Sequence, residues 1–292
     1  MKLLLDTDIG SDIDDAICLA YLLMHPECDL LGITTVSGEP QKRAALASAI
    51  CRHIGKDVPI YPGADHPLII DQRQTKAQQG VQLKNWSHQK NFPPKQAVSF
   101  LAERILANPN EVTLLTIGPL TNIALLFSIY PEVASALGAI VIMGGHFLNG
   151  DDIKRTQEWN ILLDPHAARI VYQTSVSLHQ SIGLDVTKKV RLAVEEIQDR
   201  FTHPALAPVI DFAQIWFDDN QAIIFHDPLA AVSIFDPDVC EFQEGRVGIK
   251  INPETGLLTE TTFDLRDDLR PHQIAVRVDV NRFFKSFFDV FK

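Results

Sequence analysis

Cysteine, basic charge and long apolar runs are scarce in this chain, and each shortage removes a class of protein. Its four cysteines, Cys18, Cys28, Cys51 and Cys240, have no paired spacing, and Cys18 and Cys51 fall inside apolar helical patterns. They read as reduced core thiols and point to a reducing, cytoplasmic setting rather than a disulfide framework. Lys and Arg number 26 against 37 Asp and Glu, a formal net charge of −11. Nucleic-acid binding usually needs a basic face to displace counterions, so that class of partner is disfavoured. The longest apolar stretches, such as Ala139 to Met143, are far short of a membrane span, and a soluble protein is expected. The first strand begins at Lys2, leaving no room for a charged leader, an apolar signal region and a cleavage site, so no export is expected. Internal repeats and low-complexity tracts are also missing.

What remains is an ordinary globular composition, 46% hydrophobic and 22% charged, able to bury a large core. A length of 292 residues allows one or two domains, and a single domain over 1–292 is expected. Lys2 to Leu5 reads as a buried strand, Asp14 to Met24 as a helix closed by Pro26, Leu30 to Val36 as a strand and Gln41 to Ile54 as a helix. Val58 to Tyr61 follows as a short strand, Ala97 to Ala107 as a helix, Val112 to Ile117 as a strand, and a helix begins over Asn122 to Ser128. Ala139 to Met143 is a further strand, then a helix from Pro165 to Tyr172, a strand from Ser175 to His179, and a helical stretch from Val194 to about Phe217. Such alternation predicts an α/β fold, a mostly parallel central sheet flanked by helices in an open, doubly wound arrangement. A small late β-hairpin is expected around Ile249, turning at Asn252 to Gly256. The glutamine-rich region from Asp71 to Pro94 has little periodicity and reads either as a cover over a site or as a plain surface excursion.

The most informative segment follows the first strand: Asp6-Thr7-Asp8-Ile9-Gly10-Ser11-Asp12-Ile13-Asp14-Asp15, with five carboxylates. Helix capping accounts for one or two of them. Five acids crowded at one strand end repel each other unless protons or an ion neutralise them, and hard oxygen ligands favour calcium or magnesium over zinc. An EF-hand is excluded, because counting from Asp6 puts Ser11 where the loop glycine belongs and Ile17 where the bidentate glutamate belongs. Other polar motifs fall at strand ends: Thr35-Val36-Ser37-Gly38-Glu39, Ile117-Gly118-Pro119-Leu120-Thr121-Asn122 and Met143-Gly144-Gly145-His146. Ligands collect there in open α/β sheets. His226-Asp227-Pro228 opens a further apolar helical pattern, and taken alone it reads best as a helix cap with proline in the first turn.

Taken together, Asp6-Thr7-Asp8-Ile9-Gly10 with Asp14-Asp15-Ala16 resembles the signature of the inosine-uridine-preferring nucleoside hydrolases. The resemblance extends in order through Ile33-Thr34-Thr35-Val36, Gly118-Pro119-Leu120-Thr121-Asn122, Met143-Gly144-Gly145 and Glu158-Trp159-Asn160 with Asp164-Pro165. It continues through Gly183-Leu184-Asp185-Val186-Thr187 to His226-Asp227-Pro228. It implies calcium (Ca2+) held by Asp8, Asp15, Asp227 and the backbone carbonyl of Ile117, with coordination positions left for a water and two hydroxyls of a ribonucleoside. The implied reaction is hydrolysis of the N-glycosidic bond of purine or pyrimidine ribonucleosides through an oxocarbenium-like transition state. Asp8 would take the proton of a calcium-activated water, and His226, with an unperturbed pKa near 6.5, would protonate the leaving base. Asp14, Glu158 and Asn160 would hold the sugar, Asp152 would stand near the 5′-hydroxyl, and Glu39 would accept from sugar hydroxyls. A homodimer or homotetramer is implied as well. Phe212, Trp216 and Phe217 read either as base-stacking or as core aromatics.

The chain departs from the family pattern in places. Two extra residues separate Gly10 from Asp14, so an ungapped alignment gives Asp12 the sugar-binding role and a gapped one gives it to Asp14. Glu39 replaces a common Asn, and the 71–91 region lacks a His-Gly-Glu-Ser-Gly stretch. Two other readings compete: a haloacid-dehalogenase-type phosphohydrolase, whose motif also follows the first strand, and a nucleoside-binding protein without turnover.

Overall fold

The computed structural model describes residues 1–148, 157–217, 221–267, 269 and 271–292. Its first half alternates strand and helix: β1 (Lys2–Thr7), α1 (Asp14–Met24), β2 (Asp29–Thr35), α2 (Pro40–Ile54), β3 (Ile60–Pro62), α3 (Ala97–Leu106), β4 (Val112–Thr116), α4 (Thr121–Ile129), α5 (Val133–Ala136) and β5 (Ala139–Met143). The second half runs α6 (Trp159–Leu163), α7 (Pro165–Gln173), β6 (His179–Ile182), α8 (Leu184–Thr187), β7 (Arg191–Ala193), α9 (Val194–Arg200), α10 (Ala207–Phe217), β8 (Ala222–Ile224) and α11 (His226–Phe235). It closes with β9 (Cys240–Ile251), β10 (Leu258–Asp264), β11 (His272–Val278) and α12 (Val280–Asp289).

Nine strands form one sheet in the order β10-β9-β11-β6-β5-β4-β1-β2-β3, while β7 and β8 pair separately as a small antiparallel ribbon. The pairings from β3 through β11 are parallel; β9 joins β11 and β10 antiparallel. The run Leu3-Leu4-Leu5 is fully buried because both faces of the sheet are covered. Strand alternation divides it: Leu3 and Leu5 join the core packed by α1, α2, α11 and α12, and Leu4 joins the core packed by α3, α4 and α7. From β1 the chain builds outward to β2 and β3 on one side, then returns to lay β4, β5 and β6 on the other. Loops leaving the ends of β1 and β4 therefore diverge to opposite faces and open a crevice between them.

Several elements differ from the sequence expectation. The strand expected at Ser175 to His179 begins only at His179, which pairs with Ile140. Ser175 and Ser177 are exposed and lead the chain up to the inner strand β6, so the alternation there was that of a surface approach. The stretch from Val194 to Phe217 divides into α9 and α10 at Pro204, which has no amide hydrogen to continue the helix ladder. The expected hairpin forms and turns at Asn252 to Gly256, where Gly256 has φ +71 and its amide donates to the Asn252 carbonyl. It is not an appendage, because β9 is an inner strand of the main sheet. α12 presents Phe283 and Phe287 one turn apart to a cluster with Phe225 and Tyr21, closing the core over α1 and α11.

Candidate active site

A cavity of about 660 Å3 opens beyond the carboxyl ends of β1 and β4. Near the end of β1, Asp6 is buried, accepting from Thr34 Oγ1 at 2.5 Å and Asn122 Nδ2 at 2.7 Å, and burial pushes its carboxyl up to about 7. Asp8 follows, beside Gly118 of the loop leaving β4. A Cβ on Gly118 would lie 2.9 Å from both the amide nitrogen and Oδ1 of Asp8, so only glycine lets the two loops close here. The α1 helix begins at Asp14 and Asp15 and packs against α11, whose first turn carries Asp227. Two helix N-termini thus point their positive dipole ends at the same acids.

Carboxylate oxygens of Asp14, Asp15 and Asp227, all buried, lie within 4.8 Å of one another. Asp15 Oδ1 accepts from the Thr7 hydroxyl at 2.5 Å, and Asp14 Oδ2 from the Asp227 amide at 3.2 Å. Burial first, then repulsion from neighbouring acids that include Asp8 and Asp12, holds all three carboxyls well above the usual range. Burial likewise raises Asp8 and lifts Asp12 to about 7. Arg43 is a cation set behind this cluster, with its own pKa lowered by burial. Its guanidinium donates to the carbonyls of Gly38, Asp8 and Ile9 rather than to a carboxylate. One guanidinium does not neutralise five acids. The donor set consists of hard oxygens at several buried carboxylates, which fits a divalent calcium or magnesium ion.

The sequence-derived site residues fall as follows. Asp8, Asp12, Asp14, Asp15, Ile117, Glu158, Asn160, His226 and Asp227 all line the cavity. The tightest trio contains Asp14 in place of Asp8, which lies close enough to raise Asp15 and Asp227 electrostatically but outside that trio. The Ile117 carbonyl accepts from Asn160 Nδ2 at 3.1 Å, as does the Met143 carbonyl. Glu158 caps α6, its carboxylate accepting from the amides of Asn160, Ile161 and Gly145 at 2.8, 3.0 and 3.1 Å, while burial raises it to about 7. His226 Nδ1 meets the Thr187 hydroxyl at 2.7 Å; burial, and then Lys188, lowers its pKa to about 4 rather than leaving it near 6.5. Glu39 does not line the cavity. Its carboxylate accepts from Lys42 Nζ at 2.5 Å and from the Ala77 amide at 2.9 Å, and the Lys42 contact lowers its pKa. Asp152 lies outside the described residues. Phe212 is fully buried core, whereas Trp216 reaches the cavity.

Sequence reading missed Arg43, Gln74 and Trp159. The 71–94 region is packed across the acidic loop rather than free of it: a 3-10 helix spans Gln78–Asn85, and Arg73, Gln74, Thr75 and Lys76 line the cavity. Gln74 Nε2 donates to Asp8 Oδ2 at 2.5 Å, and Trp159 Nε1 donates to Gln74 Oε1 at 2.5 Å. Trp159 carried a signal, since it stands between Glu158 and Asn160, and Gln74 a weaker one, since it falls in the segment read either as a cover over a site or as a surface excursion; Arg43 carried none.

Buried carboxylates converging in a cavity at the switch point of an open α/β sheet are the arrangement of a cation-dependent enzyme. A sequence model of the inosine-uridine preferring nucleoside hydrolases matches residues 3–285, and the chain belongs to that family. It is 31% identical to the inosine-uridine preferring nucleoside hydrolase of Leishmania major, covering 97% of this chain and 95% of that one. It is 30% identical to uridine nucleosidase 1 of Arabidopsis thaliana, over 85% of this chain and 78% of that one. Among solved structures, a purine-preferring ribonucleoside hydrolase from Gardnerella vaginalis superposes with a TM-score of 0.83 at 27% identity, covering 100% of this chain and 98% of that one. The chain is thus a hydrolase of ribonucleosides, and the phosphohydrolase and non-catalytic readings give way to it.

Proposed function

We propose that this enzyme cleaves the N-glycosidic bond of purine or pyrimidine ribonucleosides to free base and ribose with calcium in the carboxylate cluster, working in the cytoplasm as a homodimer or homotetramer. The observation that carries the calcium reading is the convergence of Asp14 and Asp15 from the start of the chain with Asp227 from its last third, beside Asp8 and the Ile117 carbonyl. Asp8, Asp15, Asp227 and that carbonyl would hold the ion. Bound there, it supplies Lewis acidity for a water and grips the cis-diol of the sugar.

The residues then divide the work. Asp8 accepts the proton of the attacking water. Asp14, with Asp12 beside it, receives sugar hydroxyls, and the negative cluster stabilises positive charge developing on the ribosyl ring. Asn160 fixes the Ile117 carbonyl, and Glu158 fixes the Asn160 backbone, so the sugar meets a preorganised wall. With a pKa near 4, His226 is neutral at pH 7. In the tautomer whose Nδ1 accepts from Thr187, its Nε2–H is a hydrogen-bond donor to the departing base, a stabilising contact short of full proton transfer, and the base takes its proton from solvent as Asp8 returns one there. Glu39 acts at one remove by tying α2 to the 73–77 segment through the Ala77 amide. A panel of ribo- and deoxyribonucleosides assayed with calcium and with a chelator tests this reading. Base release confined to ribonucleosides with calcium supports it; chelator-insensitive release, or equal release from deoxyribonucleosides, contradicts it.

A further inference from the structure

We propose that Gln74 is a positioning residue for Asp8, and that Trp159 sets the orientation of the Gln74 amide. The inference rests on the proposed role of Asp8 as ligand and base. An indole N–H only donates and an ionised carboxylate only accepts, so the two partners of Gln74 leave a single arrangement: Oε1 towards Trp159, Nε2 towards Asp8, each at 2.5 Å. With the amide thus fixed, Asp8 Oδ2 carries a permanent donor, and Asp8 Oδ1 rests against Gly118. The carboxylate is held by rotation as well as position, apart from the Asp14, Asp15 and Asp227 trio.

The amide of Gln74 is not needed to anchor its own segment. The Ala77 amide donates to Glu39, the Gln79 amide to the Gly10 carbonyl at 3.0 Å, Gln79 Nε2 to the Asp12 carbonyl at 2.8 Å, and Trp86 Nε1 to Asp211 at 2.7 Å. The Gln74 backbone is itself pressed onto Gly38, where a Cβ would stand 2.3 Å from the Gln74 carbonyl oxygen. Those contacts fix the strap; the buried Gln74 side chain serves Asp8.

Gln74→Met, Trp159→Phe and the double variant test this against wild type by steady-state kinetics on uridine and inosine, melting temperature, and calorimetric titration of calcium into chelator-stripped protein. Loss of a contact behind a metal ligand typically weakens affinity or rate by about 10- to 100-fold. Gln74→Met is expected to lower kcat and calcium affinity by about tenfold each, with KM within about threefold and an unchanged melting temperature in chelator. Trp159→Phe should lower kcat and calcium affinity less, and the double variant should be no worse than Gln74→Met, because the indole acts only through the amide. Unchanged kcat and calcium affinity in Gln74→Met, or additive losses in the double variant, overturn the proposal. Should Gln74→Met fail to fold, the half-exposed Trp159→Phe decides alone: a drop in kcat and calcium affinity supports the relay, and wild-type values overturn it. Wild type that binds no calcium contradicts the underlying reading too, whereas wild type that binds and turns over beside unaffected variants removes the relay alone.

Discussion

Replacing Asp227 with Asn should stabilise the metal-free protein and cut the stabilisation that calcium confers. In the metal-free state the Asp227 carboxylate lies within 4.8 Å of both Asp14 and Asp15 oxygens. At an effective dielectric near 20, two unit charges at that distance repel by about 3 kcal/mol. Protons retained by the cluster relieve part of it, since burial and neighbouring acids hold these carboxyls above their ordinary range. A net gain of about 1–3 kcal/mol on removing one charge follows, or about 2–6 °C in melting temperature for a chain of this size. The Asp227 amide still donates to Asp14 in the variant, so α11 keeps its docking. With calcium that gain is offset. If losing one charged ligand weakens calcium about 100-fold, about 2.7 kcal/mol of ligand stabilisation disappears at fixed calcium. Thermal melts of both proteins with excess calcium and with chelator read the two effects. A variant less stable than wild type in chelator, or an undiminished gap between its calcium and chelator melts, would refute the reasoning.

Asp8→Asn should lower kcat by about 10^3 with a melting temperature in chelator no lower than wild type, because it removes a base worth about 10^2 to 10^4 in rate; wild-type turnover would contradict the assignment. His226→Ala should slow inosine and uridine by about tenfold to a hundredfold and p-nitrophenyl riboside by less than about threefold, since nitrophenolate leaves without assistance. Equal slowing in a leaving-group comparison would assign His226 to structure. At the opposite end of the strands, His179 is buried with both ring nitrogens unpartnered among described residues, and it packs on His272. Burial lowers both, His272 to about 4. The folded state therefore favours the neutral rings: their stability contribution is complete above the unfolded pKa near 6.5 and is lost as pH falls through the folded values. His179→Phe should flatten that acid slope in urea melts at pH 7 and pH 5, at a cost under about 1.5 kcal/mol at neutral pH; an unchanged slope would remove His179 from the account.

Much of this architecture was legible because its cause is local. Leu3-Leu4-Leu5, the Asp14 start of α1 and the Ala139–Met143 strand declare themselves by apolar runs and helix periodicity, and the structure gives the last two the expected boundaries. The acidic loop was legible because like charges crowd in sequence before they crowd in space. What stayed hidden depends on distant partners. His179 enters the sheet only because Ile140 is there to pair with it, β11 takes its place between β6 and β9, and α12 takes its place from the phenylalanine cluster around Phe225. Gln74 looks like any polar surface residue until the fold sets it between Asp8 and Trp159. The pKa of His226 is likewise a property of burial beside Lys188, which no motif encodes.

Titration of calcium into chelator-stripped enzyme, with base release from uridine and inosine followed in the same samples, tests the central claim most directly. Turnover absent without the ion and rising in proportion to a single bound equivalent is the expected result. Full turnover with no calcium bound would contradict it.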